Sequence, residues 1–313
     1  MSATDRIRGR IGSAIFEKVA GPRGPERRER IRGAGGAGWF AEDRPIRRVH
    51  GDSSMFVGGI RALLLQSLHP LAMAAVAEHS GYRGDPWGRL QRTSYFLAAT
   101  TFGGTEGALE MIGHVRAIHE RVTGTDSVTG QPYAASDPAL LLWVHAALVD
   151  STLVARALFG TPLAPAEADA YVAEMVIAAE LVGVPADLIP ASVAELTAYL
   201  ESVRPDLACT PAAKESMAYL LNPPGLDEDL AEIWQEIADG TVGSLPDWAA
   251  ELYGYQREPL TVGRRTEITQ ALGVLDAVYL GEPGVLEARQ RIVARIKAAA
   301  RGNSASGTAS QER

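Results

Sequence analysis

A single cysteine, Cys209, stands in the whole chain. An intrachain disulfide and a cysteine-based zinc knuckle are therefore excluded, and the chain suits a reducing compartment. Lysine is nearly as scarce: Lys18, Lys214 and Lys297 are the only three among 30 basic residues, the rest being arginine. Aromatic residues make up 6% and charged residues 22%, against 46% hydrophobic, a balance that excludes wholesale disorder. The longest apolar stretches are interrupted by Gln66, His69, Pro70 or His145, and none reaches the roughly 18 residues of a spanning helix. The start, Met1 to Gly21, alternates Arg with Ile and Ala and lacks the apolar core of a secretory signal. A cytoplasmic protein without a transmembrane segment is expected.

Several catalytic signatures are also missing. There is no G-x-S-x-G, no phosphate-binding loop, no H-E-x-x-H, no dinucleotide-binding glycine pattern and no paired E-x-x-H di-iron motif. The net charge of −8 over 313 residues argues against nucleic acid as a partner. That charge is uneven. Residues 1–50 carry 12 basic and 6 acidic side chains, a net of +6, so the remainder carries −14. The basic N-terminal arm reads as solvated.

Helical periodicity dominates, and no alternating β-branched run compels a sheet. An amphipathic helix is expected over Arg6–Val19, followed by a Gly-, Pro- and Arg-rich linker over 22–45. Ser53 can cap a helix through Leu68, where His69-Pro70 forces a break before a piece from Leu71 to His79. Asp85-Pro86 and Asp137-Pro138 each supply an N-cap and a first-turn proline. They open helices over Trp87–Phe102 and onward to Phe159. Between these, Thr105 to Val122 is helical, and a loop follows. Further helices are expected over 166–182, 191–203, 211–221, 226–239, 246–253, 259–280 and 284–300. The fold class is all-α. Residues 1–44 form an arm, 45–300 a single large helical domain, and 301–313 a disordered tail.

All six histidines (His50, His69, His79, His114, His119 and His145) precede residue 146, which points to a site built by the first half. At 100° per residue, Ala108, Met111, Val115, His119 and Val122 share one helix face, apolar except for His119. His114 lies about 140° away, so a straight helix cannot aim both at one metal. A lone inward imidazole suits either a core histidine bonded to a carbonyl or one axial ligand to a cofactor iron. On the Asp85-Pro86 helix, Arg89 and Thr93 are i,i+4 neighbours with Arg92 beside them and Phe96 a turn on. That face fits the polar side of a pocket for dioxygen, a carbonyl or a carboxylate, or a surface arginine paired with an acid. His145 lies on a helix apolar nearly all round. His69 precedes a kink that can aim its ring at a pocket or pack a helix end.

Taken together, Gly51-Asp-Ser-Ser, Gly59-Ile-Arg61-Ala-Leu-Leu-Leu-Gln66-Ser-Leu-His69-Pro70, Asp85-Pro86-Trp-Gly-Arg89-Leu-Gln-Arg92-Thr93, Val115-Arg116-Ala-Ile-His119, and Tyr133 to Pro138 with Trp143-Val-His145 form an ordered set. In order and spacing it resembles the MpaB/latex-clearing-protein (rubber oxygenase) catalytic-domain family over roughly residues 45–280. The resemblance implies an all-helical, globin-reminiscent domain that binds haem b. It puts the axial iron ligand at His119, with His145 as the alternative, and Arg89, Arg92 and Thr93 on the distal side as catalytic groups. Arg116, His69 and His145 would be further cofactor contacts. The family's distal lysine falls on Arg92, and a guanidinium cannot become a neutral iron ligand. The partners implied are dioxygen and a small hydrophobic intracellular substrate, with a homodimer compatible.

On this reading the chain is a haem-dependent oxidoreductase, an oxygenase that can cleave a carbon–carbon double bond. Two other readings stay open. One is a haem-binding sensor or carrier without turnover. The other is a non-haem metal enzyme using Glu110, His114, His145 and Asp150.

Overall fold

In a computed structural model, the residues described are 14–15, 17–33, 36–80, 85–256 and 258–279. The order of elements is α1 (Gly24–Gly33), α2 (Pro45–His50), α3 (Met55–Ser67), α4 (Pro70–His79), α5 (Pro86–Phe102), α6 (Thr105–His119), β1 (Thr123–Thr125), β2 (Pro132–Ala134), α7 (Pro138–Phe159) and α8 (Pro165–Val182). It continues with α9 (Val193–Val203), α10 (Pro211–Leu221), α11 (Glu228–Ser244), α12 (Asp247–Tyr253) and α13 (Val262–Tyr279). The all-α class holds, with one short hairpin added. The segments expected over 284–300 and 301–313 lie outside the described residues.

The capping chemistry places the long helices. Asp85 accepts the Gly88 N–H at 2.8 Å and Asp137 accepts the Ala139 N–H at 2.8 Å, each followed by proline at the first helical position. At the start of α3 the cap differs from expectation. Asp52, not Ser53, takes the Ser54 N–H at 2.9 Å, and the helix begins at Met55. His69 is extended (ψ 114°), as a residue before proline must be, so α3 and α4 meet at 105°.

At the centre α3 and α7 run antiparallel. A Cβ on Gly58 would stand 3.2 Å from the Thr152 Cα, so the absent side chain lets the two backbones close. Further along, Arg61 bonds Asp150 and Ser151, and Gln66 Nε2 donates to the Val144 carbonyl at 3.0 Å. Trp143 returns its indole N–H to the Gln66 carbonyl at 3.2 Å. By length and apolar content α7 can cross a membrane, which departs from the sequence expectation. In the fold it is instead a core helix, packed on α3, α4, α8 and α9. Its buried face includes Leu140, Trp143, Ala147 and Ala155, all in the main core.

Four further expectations change. The helix carrying His119 stops at that residue rather than at Val122, and 123–134 is a hairpin rather than a loop. Thr123 pairs with Ala134 and Thr125 with Pro132. Asp126 takes the Val128 and Thr129 N–H groups in the turn, a side-chain chemistry that competes with helix. The N-terminal arm is not a solvated appendage where it is described. Ile15 and Val19 are buried, Lys18 donates to the Gly225 carbonyl, and Gln91 donates to the Lys18 carbonyl. Within the expected linker, α1 is helical without an apolar stripe. It is held on α5 by the Arg27 guanidinium, 4.7 Å from the Tyr95 ring centre and 3.0 Å from the Ala20 carbonyl.

Candidate functional site

Helices α5 and α7 do not pack closely on each other: α5 rests on α6 and α2, whereas α7 rests on α3 and α8. A cavity of about 70 Å³ is walled by α3 and α5 and lined further by Leu148, Trp234 and Val19. Its surface is mostly apolar, with Leu63, Leu90, Leu97 and Phe102 around the polar atoms of Gln66, Thr93, Ser94 and His50. A Cβ on Gly59 would meet no atom within 4 Å, so α3 leaves space on this side that a side chain could fill.

Of the residues singled out in the sequence, Thr93 reaches this cavity. Its hydroxyl donates to the Arg89 carbonyl at 3.1 Å, which leaves its oxygen lone pairs toward the cavity wall. Arg89 is half-buried on the same helix, close enough to Tyr253 for its charge to favour the phenolate there. Two arginines depart from the expected site. Arg92 is exposed, donating to the Ser80 carbonyl at 3.2 Å and lying 3.8 Å from Asp85. Arg116 is exposed and donates to the Leu181 carbonyl at the end of α8. Helix periodicity sets direction only relative to neighbouring side chains. For these long arginines, nearby helix-end carbonyls and an acid provide the better partners.

The histidines separate into two kinds. His119, at the end of α6, and His69, at the start of α4, are half-buried, and each has a buried Nδ1 with no hydrogen-bond partner. Burial lowers the pKa of both, although Asp206 and Asp137 pull His69 partly back. Burial lowers His145 further, to about 4. All three rings are thus kept toward the neutral form, the form that carries a free nitrogen lone pair. By contrast His50, which sequence reasoning passed over, is fully engaged. Its Nδ1 lies 2.7 Å from Thr101 Oγ1 and its Nε2 lies 3.0 Å from the Tyr171 hydroxyl. The one signal that could have found it was its membership of the histidine cluster in the first half of the chain.

Among the described residues no three His, Cys, Asp or Glu side chains gather where they could hold a metal ion. The four residues considered for a non-haem centre are dispersed: Glu110 and His114 are exposed on α6, and Asp150 is bonded to Arg61 at 2.6 Å. A haem asks less of the protein, a single neutral imidazole. The unpartnered Nδ1 of His119, on a ring that burial keeps neutral, fits that requirement, but His119, His69 and His145 do not line the cavity that Thr93 reaches.

The described residues thus form a predominantly helical fold with an apolar cavity and two buried imidazole nitrogens that have no partner. The family model described as "ER-bound oxygenase mpaB/B'/Rubber oxygenase, catalytic domain" matches residues 47–277. The chain belongs to this MpaB/rubber oxygenase family and carries an oxygenase catalytic domain. No curated protein and no solved structure matches it. The matched span begins inside α2 and ends inside α13, so it takes in every cavity residue named above except Val19.

Proposed function

We propose that this chain is a haem b-dependent oxygenase acting on a small hydrophobic substrate, with His119 as the iron ligand. The observation that carries the assignment is the buried His119 Nδ1 with no partner, on a helix inside the matched oxygenase domain. A buried nitrogen without a hydrogen bond costs about 1–3 kcal/mol, a cost that ligation removes. When bound, the haem supplies the binding and activation of dioxygen.

The protein's own groups then have distinct tasks. His119 offers a neutral imidazole because burial disfavours its protonation. Thr93 has one proton, now given to the Arg89 carbonyl, and its hydroxyl can rotate to donate into the cavity instead. Gln66 has its amide N–H committed to the Val144 carbonyl and so holds its position as a fixed polar group on the wall. Leu90, Leu97 and Phe102 give the cavity an apolar wall; its volume of about 70 Å³ is room for dioxygen, and an organic substrate would have to approach from outside it.

The test is the visible spectrum and pyridine haemochrome of protein expressed with a haem precursor. One haem per chain is expected, lost in His119→Ala and restored in part by added imidazole. Thr93→Val should keep its haem and slow substrate-dependent oxygen uptake about tenfold or more. Colourless wild-type protein overturns the cofactor assignment. Full haem in His119→Ala with loss in His145→Ala moves the ligand to His145.

A further inference from the structure

A second cleft, of about 610 Å³, opens on the other side of the α3–α7 pair from the Thr93 cavity. On α3 it takes Arg61 and Leu65, whereas the cavity takes Gly59 and Gln66, which lie more than a quarter-turn around the helix from both. Its volume lies in the range of sites for organic ligands. One wall is aliphatic, built from Leu65, Val154, Leu158, Leu200 and Leu260.

The polar groups of the cleft are unequally satisfied. Arg61 is engaged at the floor: its guanidinium bonds Asp150 at 2.6 Å, Ser151 at 2.8 Å and the Ser244 carbonyl at 3.0 Å. Arg265, in the first turn of α13, has a buried Nε with no hydrogen-bond partner. Arg204 lies over the Trp248 ring, 5.6 Å from its centre, and has no ion pair with a described residue. Glu201 also lines the cleft but forms no ion pair with a described residue. Three arginines against two carboxylates leave the lining with a net charge of +1. A buried guanidinium N–H without an acceptor is costly, and a carboxylate offers two oxygens in the geometry a guanidinium prefers.

We propose that this cleft binds an amphipathic monocarboxylate, its head group held by Arg265 and Arg204 and its alkyl tail laid along the leucine wall. The lining charge favours a monoanion, since a dianionic phosphate ester would bring one negative charge more than the lining compensates. The site stands apart from the Thr93 cavity and does not depend on how the cofactor is held.

Isothermal titration with decanoate, kept below its micelle concentration, tests this on the full chain. One decanoate per chain is expected, with binding weakened at least about tenfold in Arg204→Gln/Arg265→Gln, or about 1.4 kcal/mol. Gly59→Leu, which fills the Thr93 cavity, should bind decanoate like the wild type. Decyltrimethylammonium, which has the same tail and a cationic head, should not displace decanoate from the wild type, a readout that needs no variant. No saturable binding below 1 mM overturns the proposal. So does wild-type affinity in a folded double-arginine variant, displacement by the cation, or loss of binding in Gly59→Leu alone.

Discussion

The Nε2 of His50 lies 3.0 Å from the Tyr171 hydroxyl, and this contact joins a buried chain of four side chains whose direction Thr152 sets. Thr152 donates its hydroxyl proton to the Leu148 and Val149 carbonyls, at 3.1 and 2.9 Å, so it must accept from Tyr171 at 2.7 Å. With its proton spent, the Tyr171 oxygen accepts from His50 Nε2–H. Nδ1 is then left to accept from Thr101 at 2.7 Å. The imidazole is neutral, its pKa pushed by burial down to about 3. Through this chain α5, α2, α8 and α7 share one polar thread beside the cavity.

Tyr171→Phe should cut the thread and leave the His50 N–H without an acceptor, since ring and core packing survive the change. The expected loss is about 1–3 kcal/mol of unfolding free energy in urea titrations. A loss below about 0.5 kcal/mol would contradict the assigned direction of the chain.

Acid should weaken the fold from about pH 6.5 downward. His50 and His145 titrate at 6.5 when unfolded but at about 3 and about 4 when folded. Below 6.5 the unfolded chain therefore takes up protons that the folded chain refuses. Stability is complete above 6.5 and falls until the folded pKa values are reached, by up to about 1.4 kcal/mol per pH unit for each histidine. Urea unfolding at pH 7 and pH 5.5 samples this window before ordinary carboxylates titrate. His50→Gln should flatten the slope, and wild-type stability that holds constant would refute the buried neutral state.

Adjacent glycines on α3 should respond in opposite ways. A Cβ at Gly58 would sit 3.2–3.3 Å from Thr152, Ala155 and Ser151 on α7, whereas one at Gly59 meets nothing within 4 Å. Gly59→Ala should stabilise by roughly 0.5–1 kcal/mol through helix propensity. Gly58→Leu should cost about 1–3 kcal/mol or more by prising the helix pair apart. Thermal melts of the two variants measure both signs.

Asp150→Ala should be among the costlier single changes. It strips the partner from Arg61, whose side chain is only 3% exposed, and an uncompensated buried charge costs about 3–5 kcal/mol. Arg61→Met in the same chain should recover much of that loss, because an apolar pair of similar volume is tolerated there. A double variant as unstable as Asp150→Ala alone would show that the deficit is one of packing.

The sequence by itself determined the helical class, most of the long helices and the sharpest breaks between them. Asp85-Pro86, Asp137-Pro138 and His69-Pro70 act through local sterics and capping that need no neighbour. The apolar run around His145, on a helix apolar nearly all round, likewise announced a buried core helix. The family, too, was legible, because its motifs keep their order along the chain. Tertiary structure alone decided where long polar side chains point. Arg92 and Arg116 share helices with Thr93 and His119, yet each finds its partner on another element, and a helical wheel contains no such partners. His50 gave no local sign of its role because its bonds reach residues 51 and 121 positions away. The burial of Val19 against the cavity arises for the same reason. It is settled by contacts distant in sequence, whose free energy outweighs the weak local preferences that a sequence displays.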